Sequence, residues 1–255
     1  MAAHPSSPQR ITYLTLPPLV PFSTSVTSPL HTTLTQKSRT FRLLSLQLSP
    51  ASFASAYEIE VAFPESLWLS RLTNPHVTRI LALSSPPSRP ELEEISEPWA
   101  LAAASEWLGQ VILLRTEESE MRAGMSPWCS SDATAAVGRN EGDRGANGVG
   151  KEETMNIQLN GLFVLPAVRG RGIGKELIKR AVKQAEGIAA EKGRRWKVSV
   201  LVFEDNVAAV GTYKVEDFLE VKEEKLYVRG IEKTTLHLEL SGKVGEKELR
   251  MKGET

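Results

Sequence analysis

One cysteine, Cys129, occurs in 255 residues. A single thiol closes no internal disulfide, which excludes a stapled scaffold and fits a reducing compartment. Cys129 lies in a polar stretch rich in glycine and serine, without patterned neighbours, and reads as a loop thiol rather than a nucleophile. Histidine is also scarce. His4, His31, His76 and His237 are scattered, and no His/Cys/Asp group has ligand spacing, so no metal is expected. Net charge is missing too: 31 Lys+Arg balance 31 Asp+Glu. That removes any general pull toward nucleic acid or an anionic membrane, and neither is expected as a partner. No apolar run approaches the ~20 residues of a spanning helix.

Acidic residues are absent from positions 1–57, where Arg10, Lys37, Arg39 and Arg42 are the only basic residues besides two histidines. Such a composition overlaps with organelle transit peptides. Prolines at 17, 18, 21 and 29 interrupt any long amphipathic helix there. Residues 1–38 are therefore expected to be a partly disordered N-terminal extension. A cytoplasmic location is expected, with organelle targeting by the acid-free N-terminus as the alternative.

What remains has the 41% apolar and 24% charged make-up of a globular protein, with enough chain for a sizeable core. Thr40–Leu48 reads as a strand, with Phe41, Leu43 and Leu44 supplying bulk. Ser49-Pro50 then opens a helix carrying Phe53, Tyr57 and Val61, and Glu65–Leu72 reads as a second. Pro86–Pro98 is acidic and punctuated by proline, and reads as a loop. Glu106–Arg115 is a strand in which Gly109 marks a bulge or a close backbone approach. Residues 116–154 are polar and glycine-rich, and are taken as a flexible insertion within one domain.

Asn156–Leu165 is a further strand, ended by Pro166. Lys175–Lys192 is the clearest helix: Leu177, Ile178, Ala181, Val182, Ala185, Ile188 and Ala189 share one face, and Gly193 is a natural stop. Arg195–Phe203 reads as a strand and Val207–Tyr213 as a short helix capped by Asn206 or Asp205. Leu219–Val228 and Thr234–Leu240 form a final pair of strands around a turn at Arg229-Gly230. Alternating elements with one strong crossover helix argue for an α/β (α+β) fold, its central mixed sheet partly antiparallel. The domain is placed at 39–242, followed by a charged tail at 243–255.

The run Pro166-Ala167-Val168-Arg169-Gly170-Arg171-Gly172-Ile173-Gly174-Lys175 joins a strand to the best helix. Small residues let the backbone curl, so that successive N–H groups aim at one point. The first N–H groups of a helix lack internal acceptors, and its dipole favours an anion there. Arg169 and Arg171 add positive charge, and a pyrophosphate suits such a turn. A Walker A loop does not fit, because Arg169 stands at its first glycine and Glu176 follows Lys175. A dinucleotide fingerprint does not fit either, because Lys175 stands at its third glycine. A plain phosphate- or nucleotide-binding protein is thereby disfavoured.

Arg169-x-x-Gly172-x-Gly174 resembles the [QR]-x-x-G-x-[GA] acyl-CoA signature of the GNAT superfamily, and Leu162-Phe163-Val164-Leu165-Pro166 resembles the strand before it. Asn206-x-x-Ala209-x-x-x-Tyr213, followed by Phe218, resembles the family's second motif. The resemblance covers about 155–240. It implies a GNAT-type acyl-CoA N-acyltransferase fold with a central, mostly antiparallel sheet flanked by helices. It implies acetyl-CoA as co-substrate and direct transfer of the acetyl group to a primary amine in a ternary complex, without a metal.

Carried over by residue, the resemblance implies that Leu162, Phe163 and Val164 line the pantetheine arm. The amides of Arg169, Gly170, Arg171, Gly172, Ile173 and Gly174 hold the pyrophosphate. Asn206 contacts the pantetheine or caps its helix, and Tyr213 protonates the departing sulfur. Two features depart from the family. Asp217 replaces the glycine before the phenylalanine of the second motif, and the cofactor strand carries Gln158, Asn160 and Gly161 where many members have a carboxylate base. Glu58, Glu106 and Glu204 are the substitutes. The acceptor, an amine on a small molecule, peptide or protein, stays open, as does the choice between monomer and homodimer. The alternative reading is a non-catalytic acyl-CoA-binding sensor or scaffold, favoured by the missing carboxylate.

Overall fold

The computed structural model of the chain describes residues 10–19, 29–84, 98–116 and 154–242. Strands β1 (Ile11–Leu16), β2 (Val77–Ser84), β3 (Glu106–Thr116), β4 (Thr154–Val164), β5 (Arg195–Phe203), β6 (Leu219–Val228) and β7 (Ile231–Gly242) form a sheet in the order β1-β2-β3-β4-β5-β7-β6. β1–β2, β5–β7 and β6–β7 are antiparallel and β4–β5 is parallel, giving the mixed, mostly antiparallel sheet that was expected. The expected loop at 86–98 lies outside the described residues apart from Pro98, as does the expected insertion apart from its two ends. The tail at 243–255 and Cys129 lie outside them entirely. The described chain divides into two compact units: 1–112 with 161–178, and 113–160 with 179–255.

The first unit corrects three expectations. Thr40–Leu48 is not a strand but the end of a 20-residue helix, α1 (Pro29–Leu48). Its buried positions are His31, Leu34, Thr35, Ser38, Phe41, Ser45 and Leu46, a helical spacing in which small hydroxyl residues supply three of the seven. Nor is 1–38 wholly an extension. β1 pairs with β2 from Ile11↔Ser84 to Leu16↔Arg79, and Leu16 is fully buried. The expected helix at Ser49-Pro50 is a 3-10 turn, Pro50–Ser52, followed by the short α2 (Tyr57–Glu60). α3 (Glu65–Thr73) falls where a second helix was expected. β2 and α4 (Pro98–Ala104) were not foreseen.

The unit's core joins Leu16, Leu34, Phe41, Leu72, Leu81, Trp107 and Phe163. Phe41 meets the rings of Trp107 and Phe163 edge-on at 5.8 and 5.6 Å, a geometry that aromatic quadrupoles favour. Lys37 of α1 reaches the end of α4, donating from Nζ to the carbonyls of Ala103, at 2.7 Å, and Ser105. These are groups that a helix C-terminus leaves unpaired.

Gly109 has the close approach expected of it. A Cβ there would lie 3.1 Å from the Phe163 carbonyl oxygen, 3.2 Å from Leu177 Cδ1 and 3.3 Å from Val164 Cγ2. The first of these is backbone, so it cannot swing aside. Gly109→Ala is therefore expected to lower stability by about 1–3 kcal/mol, the usual range for overpacking, read as a fall in Tm against wild type.

In the second unit, helix α5 (Ile173–Glu191), whose first residues belong to the first unit, buries Ala181, Val182, Ala185 and Ala189 as its pattern required. Gly193, at φ 61°, ends it by letting the N–H of Arg194 reach the carbonyl of Ala189. Trp196, Val198 and Val200 of β5 and Leu236 and Leu238 of β7 are buried. Arg229 and Gly230, at φ 53° and 77°, make the tight turn between β6 and β7 that the sequence placed there. β6 ends the strand order. A register shift between Glu220 and Lys222 interrupts it, just before the charged run Lys222, Glu223, Glu224, Lys225.

Candidate functional site

The parallel register of β4 and β5 runs from Thr154↔Arg195 to Leu159↔Val200. β4 continues to Val164 and β5 to Phe203, so Asn160–Val164 continue past the last pair of that ladder. The departure coincides with Gly161, whose φ of 58° is left-handed. Phe163 is buried in the first unit's core, while Leu162 and Val164 are half-buried. Side chains alternating between core and periphery leave the strand's main chain as the group that could meet a ligand.

Pro166–Val168 forms a 3-10 turn, and α5 begins at Ile173. Between them Gly170 and Gly172 both have φ 76°, and a Cβ on either would meet nothing within 4 Å. The glycines are therefore favoured by backbone conformation, not by packing. The amides of Gly170, Gly172, Ile173 and Gly174 donate to no backbone carbonyl among the described residues. The amide of Arg169 does, to Pro166 O at 3.2 Å. That amide is spent within the turn.

The Arg169 side chain is also engaged. Its Nε donates to Val164 O at 2.9 Å, a terminal nitrogen donates to Ser49 Oγ at 2.9 Å, and the guanidinium lies 5.6 Å from the Phe163 ring centre. Arg169 thus fastens the end of β4 to the turn after α1. Nothing in the sequence linked Ser49 to this loop, because 120 residues separate the partners.

Asn206 and Tyr213 belong to the second unit. Asn206 caps α6 (Val207–Val215): its side chain accepts from Ala209 N at 3.4 Å. Tyr213 is buried on that helix, its ring edge-on to Phe218 at 5.4 Å. Burial pushes its phenol above the ordinary tyrosine value. Asp217 adopts φ 64°, the left-handed conformation that a glycine would take there. The N–H of Phe218 then reaches Tyr213 O at 3.2 Å, closing the helix over the aromatic pair.

The candidate bases are dispersed. Glu58 and Glu106, in the first unit, and Glu204, in the second, are all exposed. His237 Nε2 lies 2.8 Å from Glu224 Oε1 on the neighbouring strand β6. Among the described residues no group of three or more His, Cys, Asp or Glu could hold a metal ion. No helix among them is long and apolar enough to cross a membrane.

Comparisons with known proteins extend this picture. Residues 100–218 match the model of the acetyltransferase (GNAT) family. The crystal structure of Arabidopsis thaliana NAA60 with a bisubstrate analogue is similar at a TM-score of 0.51 and 16% identity, over 91% of this chain and 99% of that one. The same protein with acetyl-CoA is similar at 0.50 and 17%, over 91% and 98%. At such identities the likeness is one of fold. Curated protein sequences gave no significant match. Residues 100–218 thus match the acetyltransferase (GNAT) family, and the chain has the fold of the GNAT N-acetyltransferases it resembles.

Proposed function

We propose that the chain transfers an acetyl group from acetyl-CoA to a primary amine by direct attack in a ternary complex. The observation that carries this reading is the glycine turn at the head of a helix, with Gly170 and Gly172 left-handed, open space above both, and the amides of Gly170, Gly172, Ile173 and Gly174 donating to no backbone carbonyl among the described residues. Those amides would hold the pyrophosphate. The main chain of Leu162–Val164 would pair with the pantetheine arm as an added strand does. A β4 amide near Val164 would donate to the thioester oxygen, where charge develops.

The amine nitrogen bonds to the acetyl carbon, the carbon–sulfur bond breaks, the amine gives up a proton and the thiolate takes one. Tyr213 is proposed as the donor of that last proton, and its raised pKa keeps it protonated at neutral pH. Arg169 is proposed as a positioning residue, since its guanidinium already serves Val164 O and Ser49.

Titration with acetyl-CoA tests the site, and thiol release across a panel of amines tests turnover. Gly172→Asp is expected to weaken acetyl-CoA binding by about 100-fold. The strain of φ 76° costs a side chain ~1–2 kcal/mol, and the new carboxylate faces the pyrophosphate. A dissociation constant within threefold of wild type would remove the loop from the site.

A second reading, a non-catalytic acyl-CoA sensor, is favoured by one observation. β4 offers Gln158, Asn160 and Gly161 where a carboxylate base would stand, and Glu58, Glu106 and Glu204 are exposed. Acetyl-CoA binding with no thiol release from any amine would select it.

A further inference from the structure

The first unit holds four arginines in or near its interior, Arg39, Arg42, Arg71 and Arg79, but Glu60 is the one buried carboxylate among its described residues. Glu60 serves Arg42 at 2.6 Å and Arg71 at 2.9 Å. Arg79, 3% exposed on β2, has no carboxylate partner among the described residues. One terminal nitrogen donates to Gln110 Oε1 at 2.7 Å, the guanidinium lies 6.0 Å from the Trp107 ring centre, and Nε donates to nothing. Burial, and then repulsion from Arg71, pull its pKa down to about 10, which leaves it charged at neutral pH.

A buried cation matched only by a neutral amide is costly, and an orphaned donor adds to the cost. A counter-ion that arrives with a ligand would offset both. Gln110 is the polar neighbour that Arg79 already engages. Gln110 is 1% exposed, and its Oε1 is taken by Arg79, which leaves Nε2 as its remaining donor. A Cβ on Gly161 would stand 4.0 Å from that Nε2. Gly161 has no side chain to cover it, and it begins the segment of β4 that leads to Val164.

We propose that Arg79 and Gln110 bind the carboxylate of the acceptor, so that the acceptor is a small amino carboxylate such as an α-amino acid. This rests on the acetyltransferase reading given above. The carboxylate supplies the charge that Arg79 lacks and accepts from Gln110 Nε2. The amine, one or two atoms away, then faces β4 at Gly161–Val164. Polyamines fit poorly, because their second cation would meet Arg79 and Arg71. A peptide N-terminus fits poorly because it offers an amide where the charge is needed.

The test uses the full chain and a set of α-amino acids, each alongside its C-terminal amide and its decarboxylated amine. Thiol release should show kcat/KM for at least one acid about 100-fold above its amide, the scale of a buried charge pair. Arg79→Met should abolish that preference, with acetyl-CoA affinity unchanged. Equal or better use of the amides or amines by wild type, or a preference that survives in Arg79→Met, would overturn the proposal.

Should the variant not fold, wild type decides alone. With coenzyme A present, the preferred acid should raise Tm and its amide should not, and equal shifts or none overturn the proposal. The thermal readout also decides if no amine supports thiol release. A wild type that binds no acetyl-CoA would instead sink the acetyltransferase reading itself, and so the two failures are distinguishable.

Discussion

Glu60→Ala is expected to cost about 3–5 kcal/mol, the range for removing one partner of a buried ion pair. Glu60 is 2% exposed, and its two oxygens serve the guanidinium of Arg42, which stacks on Phe53 at 4.7 Å, and that of Arg71, which lies 4.8 Å from the Trp68 ring centre. The carboxylate thereby ties α1, α2 and α3 together. Its loss leaves charged groups buried in one place, whereas a surface pair contributes at most about 1 kcal/mol. Urea unfolding of both proteins reads the difference, and a change below 1 kcal/mol would show that the triad is not holding the three helices.

The same carboxylate sets an acid limit. Burial alone would raise its pKa, but the hydrogen bonds and charges of Arg42 and Arg71 prevail, and the net shift is downward. A depressed carboxyl contributes stability above its unfolded value of ~4.3 and loses it as pH falls through the lower folded value. The variant should therefore lose less stability than wild type as the pH is taken below ~4.

Tyr213→Phe is expected to lower kcat by about 10²–10⁴-fold, the usual contribution of a positioned acid. The substitution removes one oxygen and keeps the ring that packs on Phe218 at 5.4 Å, so folding and acetyl-CoA affinity should stay near wild type. Because burial holds the phenol protonated, Tyr213 should impose no loss of kcat between pH 7 and ~9. Unchanged turnover in the variant would take the proton-donor role away from Tyr213.

The second half of the chain was the more legible in sequence. α5 has a simple apolar stripe between a glycine turn and Gly193, and β5, β6 and β7 are set off by Asn206 and Arg229-Gly230. α1 does not read as a helix for a physical reason: His31, Thr35, Ser38 and Ser45 fill four of its seven buried positions, so an apolar stripe sought by hydrophobicity is broken. The compact run around Phe41–Leu44 then resembles a strand. β2 hides differently. It is buried almost throughout, with no alternation, and contains Thr78 and Arg79.

The loop Arg169–Gly174 could be found because its conformation demands glycine. The bond from Arg169 to Ser49 and the pairing of Arg79 with Gln110 could not, because side-chain partnership and burial across long separations leave no local trace. Asp217, which stands where the resembled family has glycine, takes a glycine-like φ of 64°.

The outermost strand β6 also bears on self-association. A free strand edge is a template on which a stray chain can polymerise. Here the bulge at Glu220/Lys222 spoils the spacing of its free amides, and four consecutive ionised side chains would have to be crowded against any newcomer. Fibre growth from this rim is thereby discouraged.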